Sequence, residues 1–169
     1  MTTSMQNGAT FSPCRHYRYD LWRTWIGGAG YAMFVGLNPS TADETDDDPT
    51  IRRCIAFAKS WGYAALCMTN LFAFRATQPK DMMRAPDPVG PRNDSVLKER
   101  AGSAGIIVAA WGAHGEFQGR ATHVRALLPR LHYLRLTKDR HPGHPLYLPA
   151  TLMPVEWQMG RPVETAVAP

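Results

Sequence analysis

Three short stretches of this 169-residue chain concentrate side chains able to bind or activate a small polar group: Gly36-Leu37-Asn38-Pro39-Ser40, Asn70 to Arg75, and Thr137 to Tyr147. In the first, glycine permits close approach of the backbone to a ligand and proline fixes the chain. Such a turn presents backbone N–H groups and one amide side chain. The second carries the Asn70 amide and the Arg75 guanidinium around Phe72 and Phe74, and the third carries Lys138, His141, His144 and Tyr147. Each of these residues also has a plain structural reading: a loop asparagine at 38, a capping asparagine at 70, a surface histidine at 144. Their joint placement favours a site, because each stretch directly follows an apolar run.

The elements that must position these groups follow from periodicity. Tyr17 to Trp25 alternate as a strand does, Gly27, Gly28 and Gly30 supply turn positions, and Tyr31 to Leu37 form a buried run, so a hairpin feeding a central strand is expected. Pro49 suits a first helical turn, and Ile51, Cys54, Ile55 and Ala58 recur at helical spacing until Gly62. Ala65 to Asn70 reads as a second buried strand, with an irregular stretch through Pro79 and a proline-rich connection after it. A helix is expected over Asn93 to Arg100, a strand over Gly105 to Trp111, a helix over Ala121 to Leu128, and a strand over Tyr133 to Leu136. Strands alternating with helices imply an α/β fold with a parallel sheet, whose ligands bind outside the carboxyl ends of the strands. All three polar stretches would then meet at one edge.

Composition narrows the class. Hydrophobic residues make up 44% of the chain and charged residues 20%, the usage of one globular domain, and no apolar run reaches a membrane span of about 20 residues. Residues 1–14 are expected to pack loosely, residues 15–150 to form the domain, and residues 151–169 a tail. The amino terminus lacks a basic start with an apolar run behind it, so a cytoplasmic protein is expected. Cys14, Cys54 and Cys67 are too widely spaced for a disulfide framework or a metal ligand pair, so neither metal nor cofactor is expected. A monomer is expected. Net charge is +5, with six Lys or Arg from Arg120 to Arg140, while Asp43, Glu44, Asp46, Asp47 and Asp48 crowd one loop. The basic stretch attracts phosphate and the acidic loop repels it, unless both are simply solvated. No phosphate-binding GxxxxGK[ST] and no GxGxxG follows a strand, which argues against an ATPase or a dehydrogenase.

The combination of DDPTIRRC, TNLFAFRATQP, DPVGPRND, AWG and HPLYL resembles the bacterial and phage family called domain of unknown function 1643, over about Tyr17 to Pro149. A weaker likeness is more informative about mechanism. GLNPS is similar to the first motif of mismatch-specific uracil-DNA glycosylases, Gly-Ile-Asn-Pro-Gly, and IIVAAWG followed by HPGHPLYL is similar to their third strand and second motif. TNLFAFRATQP is similar to the Asn-Val-Val-Lys-x-Arg-Pro stretch of their thermophilic branch, although that branch's four cluster-binding cysteines have no counterpart here. The resemblance implies a three-layer αβα sandwich around a mainly parallel sheet of about four strands, with the amino-terminal hairpin as an extension.

The glycosylase likeness also implies roles. Asn38 would hold the attacking water, the Gly36, Leu37, Pro39 and Ser40 backbone would line the pocket, Asn70 would read a base edge, and His144 would donate to the leaving base. Phe72 or Phe74 would stack on that base, Leu146 or Tyr147 would fill the space it vacates, and Arg75 and Lys138 would hold the substrate. His141-Pro142 competes with His144-Pro145 for the second-motif position. The expected activity is hydrolysis of an N-glycosidic bond to an unusual or modified base in DNA or a nucleotide. Two alternatives stand beside it: a module that binds a nucleotide or modified base without cleaving it, and a small-molecule enzyme holding an acidic substrate through Arg52, Arg75, Lys138 and Arg140.

Overall fold

Side chains from Ala32 to Val35 alternate between two separate cores, Ala32 and Phe34 on one side and Met33 and Val35 on the other, so this segment is a strand covered on both faces. A computed structural model describes residues 7–158. Its elements in chain order are β1 (Gly8–Phe11), β2 (Arg18–Thr24), β3 (Tyr31–Gly36), α1 (Pro49–Ser60), β4 (Ala65–Asn70), α2 (Pro79–Met83), α3 (Asn93–Ser103) and β5 (Ile106–Ala109). A 3-10 segment (Ala113–Gly119), α4 (Arg120–Leu127), β6 (Leu131–Tyr133), a 3-10 turn (Pro145–Tyr147) and β7 (Val155–Glu156) follow.

The expected sheet is corrected in both size and direction. Among the described residues it has seven strands in the order β1-β2-β4-β3-β5-β6-β7. Four central strands run parallel through the β4–β3, β3–β5 and β5–β6 pairings, whereas β1–β2, β2–β4 and β6–β7 are antiparallel. The fold is therefore α/β with a mixed sheet, and not the mainly parallel four-stranded sandwich that the glycosylase likeness implies. The expected hairpin between Tyr17 to Trp25 and Tyr31 to Leu37 does not form either, because β4 lies between those two strands. The turn packs instead on the loop before β4: Gly28 has φ of 78°, and a Cβ there would stand 2.5 Å from the Gly62 carbonyl oxygen. Trp25 N donates to Ala64 O and Ala64 N to Gly30 O, which stitches both flanks of the turn to that segment.

Segments expected to be loose add the edges. Gly8–Phe11, within the amino-terminal stretch, pairs with β2, and Val155–Glu156, within the carboxyl-terminal tail, pairs with β6. The strand expected at Tyr133 to Leu136 lies earlier, at Leu131–Tyr133, and α2 occupies part of the stretch expected to be irregular.

On one face, α1 starts at its cap Asp48, whose Oδ1 accepts from Ile51 N at 2.9 Å, with Pro49 in the first turn where no N–H is needed. Its Ile51, Cys54, Phe57 and Ala58 pack on Phe34, Leu66, Met68 and Val108. Full burial of Phe57 contributes about 2–3 kcal/mol. On the other face, Leu97 and Ala101 of α3 and Val124 of α4 meet Met33, Val35, Ile107 and Ala109. The helices thus leave the carboxyl ends of β3, β4 and β5 facing the loops that follow them. Among the described residues no helix is long and apolar enough to cross a membrane.

Candidate functional site

The loops after β3 and β4 are laced together beyond the end of the sheet. Leu71 N donates to Gly36 O at 2.9 Å, Phe72 N to Leu37 O at 3.0 Å and Ala76 N to Pro39 O at 2.9 Å. Asn38 closes the lacing through Nδ2, which donates to Ala76 O at 2.8 Å and Pro39 O at 3.1 Å. Its donor is therefore committed to structure, and Oδ1 is the end left to accept from a ligand or water.

These loops wall a cavity of about 500 Å³ at the carboxyl ends of β3, β4 and β5. Met68, Ile51, Ala110 and Leu37 supply apolar surface, and Arg18, Asn38, Asp48, Asn70 and His144 supply polar groups. Its volume falls within the range of small-molecule pockets.

Asn70, the last residue of β4, is 2% exposed, and its Nδ2 has no partner among the described residues. A buried amide donor left unpaired costs about 1–3 kcal/mol, and this one stands at the cavity wall. The backbone around it is held from outside the cavity. Asn93 Nδ2 donates to Asn70 O at 3.0 Å and Leu71 O at 2.9 Å, and Arg120 Nε donates to Leu71 O at 2.7 Å. Arg120 is anchored in turn by Asp94 at 2.6 Å.

His144 caps the 3-10 turn: Nδ1 accepts from Leu146 N at 3.2 Å. That bond requires a neutral ring with its proton on Nε2. Burial pushes the imidazole below its ordinary 6.5, against a smaller opposing pull from Asp48. His144 is thus a neutral N–H donor at physiological pH. His144 lines the cavity, whereas His141 lies with Nδ1 3.7 Å from Glu116.

Two charged residues of the site escaped sequence reasoning. Arg18, the first residue of β2, is 2% exposed, and burial pulls its guanidinium down to about 10, still cationic at neutral pH. Nothing in a strand-like run distinguishes such an arginine from one on a solvated face. Asp48 lay within the acidic loop, and its place as the cap of α1 was legible only from the Pro49 that follows. The exit of β5 also contributes, through Trp111, Gly112 and His114.

Other expected site residues are placed elsewhere. Phe72 is fully buried against Phe117, with no free face on which a base could stack. Phe74 packs edge-on against Tyr17. Arg75 lies over Phe11 and donates to Arg15 O, Lys138 sits in an exposed turn, and Pro39 is buried behind the loop. Gly36, Leu37, Ser40, Leu146 and Tyr147 do line the cavity, with Tyr147 85% exposed at its rim.

Much of the acidic loop is engaged within the fold rather than simply solvated. Asp43 Oδ1 accepts from Thr45 N and Asp46 N, Glu44 pairs with Arg15 at 2.6 Å, and Asp47 pairs with the buried Arg23 at 2.7 Å. Among the described residues no group of three or more His, Cys, Asp or Glu side chains is arranged to share a metal ion. Part of the basic stretch is structural as well: Arg120 is buried, and Arg125 stacks on Trp157 at 3.7 Å.

Compared with known families, residues 18–146 match the profile of one described as Protein of unknown function (DUF1643). The chain belongs to that family. Its matched region begins at Arg18 and ends at Leu146, so it encloses the cavity described above except for Tyr147 at the rim. No curated protein and no solved structure matches the chain. The family description and these comparisons do not extend to the uracil-DNA glycosylase likeness.

Proposed function

We propose that the cavity takes a nucleobase joined to its sugar and hydrolyses the N-glycosidic bond between them. The observation that carries this reading is the Asn70 amide, buried and with its donor unspent, in the same cavity as the neutral N–H of His144 and the free Oδ1 of Asn38. A primary amide matches the paired donor and acceptor edge of a base, and the apolar surface of Met68, Ile51 and Leu37 suits its flat faces. The likeness of GLNPS and HPGHPLYL to glycosylase motifs supports the same assignment of roles.

Bond cleavage places positive character on the sugar and negative charge on the departing base. In this mechanism water attacks the anomeric carbon as the carbon–nitrogen bond breaks and its electron pair leaves with the base. Asn38 Oδ1 accepts a hydrogen bond from the water, and Asp48 receives its proton. His144 Nε2–H and Asn70 Nδ2–H donate to the base as charge develops there, and the base then takes a proton from solvent. A neutral imidazole serves as hydrogen-bond donor without giving up its proton.

A second reading, binding without cleavage, is favoured by one observation: among the described residues Asp48 is the only carboxylate lining the cavity, and its Oδ1 is engaged in capping α1. Equilibrium titration of the wild type and Asn70→Leu with bases and nucleosides tests what the readings share. Binding that survives the substitution unchanged contradicts both.

A further inference from the structure

The buried arginines of this fold follow a pattern with one exception. Arg23 pairs with Asp47 at 2.7 Å and Arg120 with Asp94 at 2.6 Å, and the half-exposed Arg100 pairs with the fully buried Asp20 at 2.7 Å. Arg18 is as buried as Arg23 and Arg120, and among the described residues no carboxylate lies within ion-pairing distance of it. Its Nη1 donates to Ala42 O at 3.0 Å, and its Nε is buried without a partner. Asp20, two residues along the strand, is spent on Thr10 N and Arg100 Nε. Asp48 is the main charge that favours the Arg18 cation, but it stays beyond ion-pairing distance and is engaged as the cap of α1, so the desolvated guanidinium lacks a contact counterion.

Arg18 lines the same cavity as Asn70 and His144, and the first turn of the twelve-residue α1 reaches it through Asp48, Thr50 and Ile51. Asp48 already caps the positive end of that helix with its carboxylate, so the buried guanidinium is the group left to receive an anion. We infer that Arg18 anchors a phosphate monoester on the ligand, so that the substrate is a free nucleoside monophosphate rather than a base within a nucleic-acid strand. This rests on the nucleobase reading given above and names its substrate class. Capacity agrees with it: about 500 Å³ accommodates one nucleotide. Strand tracking needs a row of cations, whereas Arg15 and Arg23, the cations of the neighbouring loop, are already paired with Glu44 and Asp47.

The test is calorimetric titration of the wild-type protein with the four ribonucleosides, their 5′-monophosphates, ribose 5-phosphate, inorganic phosphate and a short 5′-phosphorylated oligonucleotide. At least one monophosphate is expected to bind about tenfold or more tightly than its nucleoside. Arg18→Gln removes that advantage, and Arg18→Lys retains part of it. Equal affinity of every nucleoside and its monophosphate overturns the phosphate anchor and leaves the nucleobase reading standing. Arg18-dependent binding of ribose 5-phosphate as tight as any nucleotide leaves the anchor standing and overturns the nucleobase reading. Tighter binding of the oligonucleotide than of any mononucleotide overturns the free-nucleotide assignment, and no binding by any of these ligands overturns the inference. Should Arg18→Gln fail to fold, the comparison of ligands on the wild type decides alone.

Discussion

Gly36 and Asn70 are paired in register at the ends of the parallel strands β3 and β4, and a Cβ on Gly36 would stand 2.9 Å from Asn70 Oδ1. The glycine is what allows the buried amide to lie flat against the β3 exit. Gly36→Ala is therefore expected to displace the Asn70 side chain, since Met68 Cε, at 2.8 Å, blocks the other direction. Overpacking of this kind costs about 1–3 kcal/mol. Ligand affinity should fall along with stability, as titration and denaturant unfolding would show. An unchanged affinity means that the amide does not read the ligand.

Asn70→Leu separates function from stability in the opposite sense. It replaces an unpaired buried donor by an apolar group of similar size, so the ligand-free protein should unfold at the same or higher denaturant concentration, a gain of up to about 1 kcal/mol. Ligand binding should be lost. A clear loss of stability would show that Nδ2 has a structural partner.

The pH dependence of stability carries the signature of His144. Its folded pKa lies below the unfolded 6.5 because burial disfavours the cation. The unfolded chain thus binds the proton more readily, and the stability contributed by the neutral ring is present above pH 6.5 and is lost as pH falls below it. Protonation of Nδ1 also removes the bond from Leu146 N. Denaturant unfolding between about pH 5 and pH 8 should show a downward acid slope that is reduced in His144→Gln. Identical slopes in the two proteins would contradict a neutral, half-buried His144.

Asp48 has two duties that substitution can part. Asp48→Asn keeps an amide oxygen to cap α1 and should leave stability within a few tenths of a kcal/mol, whereas Asp48→Ala should cost about 1 kcal/mol. Thermal melts check this. If both substitutions cost the same, the carboxylate charge rather than the cap is what stabilises the helix.

Much of the frame that carries these residues was legible in the sequence. The β3 and β4 exits were readable because uninterrupted apolar runs, Tyr31 to Leu37 and Ala65 to Asn70, end abruptly in polar residues, and α1 was readable from Pro49 and the spacing of Ile51, Cys54 and Ala58. Strand pairing was less legible. Adjacent strands joined by a glycine-rich turn suggest a hairpin, yet β2 pairs with β4, a partner set by packing of that turn against Gly62 and Tyr63. The acidic loop misled for a related reason: the arginines that neutralise it, Arg15 and Arg23, lie more than 20 residues before Asp47 or Glu44. Burial is what residue type conceals: Phe72 reads as a stacking aromatic and is fully buried, and nothing in the strand-like run Tyr17 to Trp25 marks Arg18 as a buried cation.

Release of free base under single-turnover conditions tests the central claim most directly. Nucleosides, nucleoside monophosphates and oligonucleotides carrying common and modified bases would be incubated with excess protein and the products separated by chromatography. Base release from at least one of them by the wild type is predicted, lost by a factor of about a hundred or more in Asp48→Asn and His144→Gln while the ligand is still bound. Binding of a nucleotide through Asn70 with no release of base from any substrate would contradict the hydrolytic account and leave a binding module in its place.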